Sequence, residues 1–149
     1  MRIIVGSDHA GFDLKEHFKG YLEQAGHDVV DVGTTSEESV DYPDYARAVG
    51  EAVASGDADL GILACGSGLG MAIAANKVDG VRAVQVMDPE LATMARMHND
   101  ANVLTLPGRY MTTEQADAVI DAFLGATFEG GRHQKRVDKI TEIENGNHG

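Results

Sequence analysis

Five short runs of branched aliphatic residues, each closed by glycine or a polar turn and separated from the next by an amphipathic stretch, constrain what this chain can become. They lie at residues 3–5, 28–32, 60–65, 81–86 and 101–106. Runs this short and apolar read as buried strands. In the first intervening stretch, Leu14, Phe18, Tyr21, Leu22 and Ala25 share one helical face and Gly26 supplies the stop. The next carries Tyr45, Val49, Ala52 and Val53 inward, with Pro43 in its first turn and Ser55-Gly56 at its end. Residues 71–77 have helix-compatible composition. Asp88 before Pro89 marks another helix start, leading through Leu91, Met94 and Ala95 to His98. Thr112 and Gln115 have capping-box spacing, ahead of a stripe of Ala116, Val119, Ile120 and Phe123. A last helix over about 132–144 has only Val137, Ile140 and Ile143 as apolar positions, so it is expected to lie on the body or on a partner subunit. Residues 145–149 are expected to be disordered.

Strands alternating with helices predict an α/β fold: a three-layer α/β/α, Rossmann-like domain over residues 1–149, with a five-stranded parallel sheet and an extra C-terminal helix. In such sheets the site lies beyond the carboxyl ends of the strands. Asp8-His9 follows the first run, Cys65 the third and Arg109 the fifth, so all three are expected at one edge.

The formal charge of −12 argues against nucleic acid or an anionic membrane as partner. A single cysteine excludes an internal disulfide framework and a multi-cysteine metal site. The first residues already read as a strand, and no apolar stretch approaches about 18 residues, so a cytoplasmic protein is expected.

Cys65 ends an apolar run and opens Gly66-Ser67-Gly68-Leu69-Gly70. Glycines let the backbone turn tightly and approach a ligand, and the N–H groups that begin the following helix favour an anion, including a thiolate. The named phosphate motifs fail, since the glycines do not match G-x-G-x-x-G and no G-x-x-x-x-G-K-[ST] occurs. A cysteine phosphatase would need arginine six positions on, where Met71 stands. Of the six histidines, His9 and His98 occupy polar or helix-end positions suited to proton transfer, while His17, His27 and His148 read as surface residues. Arg132 and Arg136, four apart after Gly130-Gly131, share one helix face and suit a dianion such as phosphate. A surface strip paired with Asp138, Glu142 and Glu144 is the alternative reading.

Gly-Ser-Asp-His-Ala-Gly at residues 6–11, Asp41-Tyr42-Pro43, the segment from Cys65 to Gly70, Ala74-Ala75-Asn76-Lys77, residues 98–103 and Glu129-Gly130-Gly131-Arg132-His133 occur in this order along nearly the whole chain. Together they resemble the type B ribose-5-phosphate isomerase family, which includes allose- and galactose-6-phosphate isomerases. The resemblance implies an aldose to ketose isomerisation through an enediolate, with no metal and no cofactor. By the same resemblance Cys65 is the base moving a proton between C1 and C2, with the Ser67 hydroxyl beside it. The backbone of Gly66, Gly68, Leu69 and Gly70, with Asn99, is the oxyanion wall. His98 and Asp8 open the sugar ring, and His9, Arg109, Arg132 and Arg136 grip the phosphate. Met71 stands where a second branch carries glutamate, which places the chain with the cysteine-using branch. The implied partners are a sugar phosphate and further copies of the chain, as a dimer or tetramer with shared sites.

Ribose 5-phosphate is the first substrate expectation, with allose 6-phosphate, galactose 6-phosphate and a tetrose phosphate as alternatives. A cysteine hydrolase would also use Cys65 and His98 but leaves the arginine pair unexplained. A non-catalytic binder of phosphorylated metabolites needs neither Cys65 nor His98.

Overall fold

The computed structural model describes residues 1–147. The elements are β1 (Arg2–Ser7), α1 (Phe12–Gln24), β2 (Asp28–Asp31), α2 (Tyr42–Ala54), β3 (Leu60–Cys65), α3 (Leu69–Ala75), β4 (Ala83–Gln85), α4 (Pro89–Asn99), β5 (Val103–Pro107), α5 (Thr113–Gly125) and α6 (Arg132–Gly146). The five strands form one parallel sheet in the order β2-β1-β3-β5-β4. The α/β expectation therefore holds.

Strand side chains alternate between faces, and the two faces build two cores. Ile3, Val5, Ile62, Ala64, Leu104 and Leu106 pack with α1, α4 and α5, where Phe18 and Phe123 are fully buried. Ile4, Leu63, Cys65 and Val103 pack with α2 and α3, against Val49 and Met71. Successive connections thus leave β1 and β3 on opposite faces and in opposite directions. The carboxyl ends of these two neighbouring strands frame the crevice where such sheets bind ligands.

Thr112 caps α5 in the expected capping box, its hydroxyl accepting from the Gln115 N–H at 3.1 Å while the Gln115 side chain accepts from the Thr112 N–H at 2.8 Å. Asp88 likewise caps α4 through the Leu91 N–H, with Pro89 in the first turn.

Several expectations need correction. Helix α4 buries Ala92 and Ala95 and leaves Leu91 and Met94 exposed, because small side chains let α4 lie close against α5. Helix α1 buries Lys15 in place of Tyr21 and Ala25, because Asp31 at the end of β2 offers the ammonium group a partner. Helix α3 starts at Leu69, two residues before the expected start, since Gly68 takes the cap with φ of 75°. Residues 145–147 are not disordered: α6 runs to Gly146 with Asn147 as its cap, and the Glu144 carboxylate accepts from the Gly80 N–H. His148 and the end of the expected disordered segment lie outside the described residues. No helix among the described residues is long and apolar enough to cross a membrane.

Candidate active site

At the carboxyl ends of β1 and β3 a cleft of about 350 Å³ is lined by Asp8, His9, Ala10, Tyr42, Cys65, Gly66, Ser67, Gly70, Arg109 and Tyr110. A larger cleft of about 570 Å³ between α2 and α3, lined by Pro43, Arg47, Glu51, Ala74, Lys77, Val78 and Asp79, holds no thiol or imidazole. The smaller cleft is where thiol, imidazole and guanidinium meet.

Cys65 is the last residue of β3 and is almost fully buried. Its Sγ accepts the N–H of Gly68 at 3.2 Å, a bond that a charged sulfur strengthens. The Ser67 hydroxyl accepts from the Leu69 N–H at 3.2 Å, which leaves its own proton free to donate. Two side chains brace this loop from β5 and β4. The buried Thr105 hydroxyl donates to the Gly68 carbonyl at 2.7 Å, and Gln85 Nε2 donates to the Ser67 carbonyl at 2.9 Å.

The glycines of the loop have a steric cause. A Cβ on Gly70 would stand 2.1 Å from Cε1 of Tyr42, so the ring occupies the space a side chain would need. A Cβ on Gly66 would stand 3.1 Å from the Arg109 guanidinium, and the backbone N–H of Arg109 donates to the Gly66 carbonyl at 3.0 Å.

On the β1 side, one oxygen of Asp8 accepts the N–H groups of both Ala10 and Gly11 at 3.0 Å, folding the turn into α1. His9 Nδ1 accepts the Val40 N–H at 3.2 Å, so a neutral ring carries its proton on Nε2. Behind this loop the fully buried Lys15 donates to both oxygens of Asp31 at 3.0 Å and to the Thr34 carbonyl. Burial pushes the Asp31 carboxyl up, yet the Gly33 N–H and the Lys15 and Lys19 ammonium groups outweigh it and hold it below its ordinary value. This knot anchors the start of the segment that delivers Val40 to His9.

Asp8, His9, Cys65, Ser67, Gly66, Gly70 and Arg109 thus converge, and Gly68 closes the turn behind the sulfur. Leu69 contributes its N–H to Ser67 and exposes its side chain. The other sequence candidates stand elsewhere. His98, in the last turn of α4, places Nε2 3.3 Å from Glu129 Oε1 and stacks on His133 with centroids 4.1 Å apart. Burial, then the neighbouring His98 and Arg132, push the His133 imidazole below its ordinary range despite the pull of Glu129. Asn99 lines a groove under α6, and Arg132 and Arg136 sit exposed on the first turns of that helix. Within one chain, none of these four lines the Cys65 cleft.

Sequence reading did not assign Thr105, Gln85, Tyr110 or Lys15 to this region. The one available signal was Thr105, a polar residue inside an otherwise apolar strand.

The chain matches the family described as Ribose/Galactose Isomerase over residues 3–140. It is 50% identical to ribose-5-phosphate isomerase B of Escherichia coli (strain K12) over 143 residues, covering 96% of each chain. Its fold superposes on Clostridium thermocellum ribose-5-phosphate isomerase B with a TM-score of 0.97 at 49% identity, covering 99% of both chains. It also superposes on the Mycoplasma genitalium ribose-5-phosphate isomerase B structure with bound ribulose-5-phosphate, with a TM-score of 0.92 at 44% identity, over 97% of this chain and 96% of that one. Matched in sequence and backbone from end to end, with its thiol and glycine loop at the sheet edge where ligands bind, the chain belongs to the ribose/galactose isomerase family.

Proposed function

We propose that this protein interconverts ribose 5-phosphate and ribulose 5-phosphate as an aldose-ketose isomerase. The observation that carries the reading is the single cleft holding the Cys65 sulfur, a brace of backbone N–H groups, the Ser67 hydroxyl and the Arg109 guanidinium. The relatives named above act on this sugar phosphate, and one of them holds ribulose-5-phosphate.

In the open-chain aldose, C2–H is acidified by the C1 carbonyl. Cys65, as thiolate, takes that proton, and the negative charge passes to O1 of an enediolate. Backbone N–H groups of the 66–70 loop stabilise the charge where it develops, and Ser67 donates to the neighbouring oxygen. Transfer of the O2 proton to O1 and return of the thiol proton to C1 complete the ketose. His9 Nε2–H and Arg109 hold the phosphate from the β1 side.

His98, Asn99, Arg132 and Arg136 reach this cleft from a second copy of the chain. His98 then acts with Asp8 to open the furanose, and the two arginines complete the phosphate grip. A homodimer with shared sites accounts for the separation of these residues within one chain. It also accounts for the apolar side chains exposed on α3 and α4, Leu69, Ile73, Leu91 and Met94.

The test is incubation with aldose phosphates of four, five and six carbons while ketose formation is followed. Ribose 5-phosphate is expected to turn over fastest, and in deuterated water label enters at the exchanged carbon. No ketose from any member of the panel would refute the reading.

A further inference from the structure

The turn between α5 and α6 gathers three donor side chains from separate positions. His98 lies in the last turn of α4, Glu129 is tied to the same helix by its N–H, which donates to the Met97 carbonyl at 3.0 Å, and His133 stands in the first turn of α6. Gly130 and Gly131 sit at φ of 68° and 55°, a backbone that L side chains rarely adopt, and this reversal lays His133 on His98. His98 Nε2 is 3.3 Å from Glu129 Oε1, and one donor atom from each residue lies within 4.8 Å of the other two.

We propose that His98, Glu129 and His133 form a binding site for a borderline divalent transition cation of the zinc type. Two imidazole nitrogens and one carboxylate oxygen, with water as fourth ligand, are a tetrahedral donor set that zinc accepts. Magnesium and calcium prefer all-oxygen sites and are excluded by the same chemistry. With metal–donor bonds of about 2.1 Å, tetrahedral donors stand roughly 3.4 Å apart. The His98–Glu129 edge already has that length. The widest edge closes by side-chain rotation, as the two imidazoles, stacked at 11°, tilt to aim their lone pairs at one point. Glu129 is exposed and both rings are half-buried, so the movement has room. Arg132 and Arg136 oppose a cation electrostatically, so the ion is held by coordinate bonds and released readily.

The functional consequence rests on the ring-opening role of His98 proposed above. A metal on its imidazole occupies the lone pair that would carry the proton, so the loaded protein stops turning over.

Untagged protein is titrated with Zn²⁺ against a chromophoric chelator, Co²⁺ reports the ligands through its visible absorption, and ribose 5-phosphate turnover is followed in parallel. The expected result is a nitrogen-ligated ion whose removal by EDTA restores activity, bound at least about tenfold more weakly by both His133→Gln and Glu129→Gln. No binding by the native chain overturns the site. So does binding that both variants keep and Cys65→Ala loses. Binding that the two variants lose, with turnover unaffected in the native chain, supports the site and overturns the ring-opening role of His98.

Discussion

The Gly68 N–H donates to the Cys65 sulfur at 3.2 Å, so the cap of α3 is bonded to the residue that ends β3. That contact fixes the direction in which the sulfur points. Thr105 holds the same residue through the Gly68 carbonyl, in the next peptide group. The position of the sulfur thus depends on β5 as well as on its own strand.

In the proposed mechanism, replacing Cys65 with alanine removes the base while the walls of the cleft stay. Turnover is expected to fall by about 10²- to 10⁴-fold, the usual contribution of a general base, with ribulose 5-phosphate binding kept. Steady-state kinetics beside calorimetric binding checks the split; equal losses in both would show a structural role for the sulfur.

Gly70→Ala puts a methyl group 2.1 Å from the Tyr42 ring. The ring must leave its place in the cleft wall or α3 must shift, at a cost of about 1–3 kcal/mol. A lower Tm with a reduced kcat/KM is the expected pair of results.

If two chains share each site, inactive variants complement. Mixing Cys65→Ala with Arg136→Ala chains and allowing exchange creates hybrid dimers with one intact site. Random pairing restores about a quarter of native activity. Recovery that stays at the background of each variant alone would show that the arginine serves its own chain.

Asp31→Ala removes the two-oxygen partner of the buried Lys15 ammonium and leaves it the Thr34 carbonyl and the half-exposed Glu16 carboxylate at 3.2 Å, so the expected cost is about 3 kcal/mol, the low end for a broken buried pair. Lys15→Met costs less, since Asp31 keeps Lys19 and the Gly33 N–H. The folded Asp31 is the stronger acid, so its stabilisation is complete above its ordinary value of 3.8 and is lost as pH falls through the lower folded value. Urea midpoints across the acid range, native against Asp31→Asn, measure this.

Tyr21 donates to both oxygens of Asp121 at 2.8 and 2.7 Å, and that bond, then burial, raises its pKa to about 12. Its stabilisation is present below the ordinary value of 10.0 and is lost as pH rises through about 12. Tyrosinate absorbance should show an ionisation near 12, and Asp121→Asn should move that step down toward the ordinary value of 10.0.

Local sequence was sufficient for the strands, the capped helices and the edge where chemistry gathers. Side-chain alternation, Asp-Pro, Thr-x-x-Gln and glycine stops act within a few residues, and the parallel sheet follows from their order. Cys65, Asp8, His9 and Arg109 could be placed together because each stands at the carboxyl end of a strand or within two residues of it. Tertiary structure alone decided what long-range contacts control. It put Lys15 inside because Asp31 arrives from another strand, left Leu91 and Met94 outside because alanines face α5, and continued α6 past the expected end because Glu144 meets Gly80. It also set His98, Arg132 and Arg136 apart from the thiol within one chain. Spacing along a helix reports which residues share a face, and carries no information about what that face will meet.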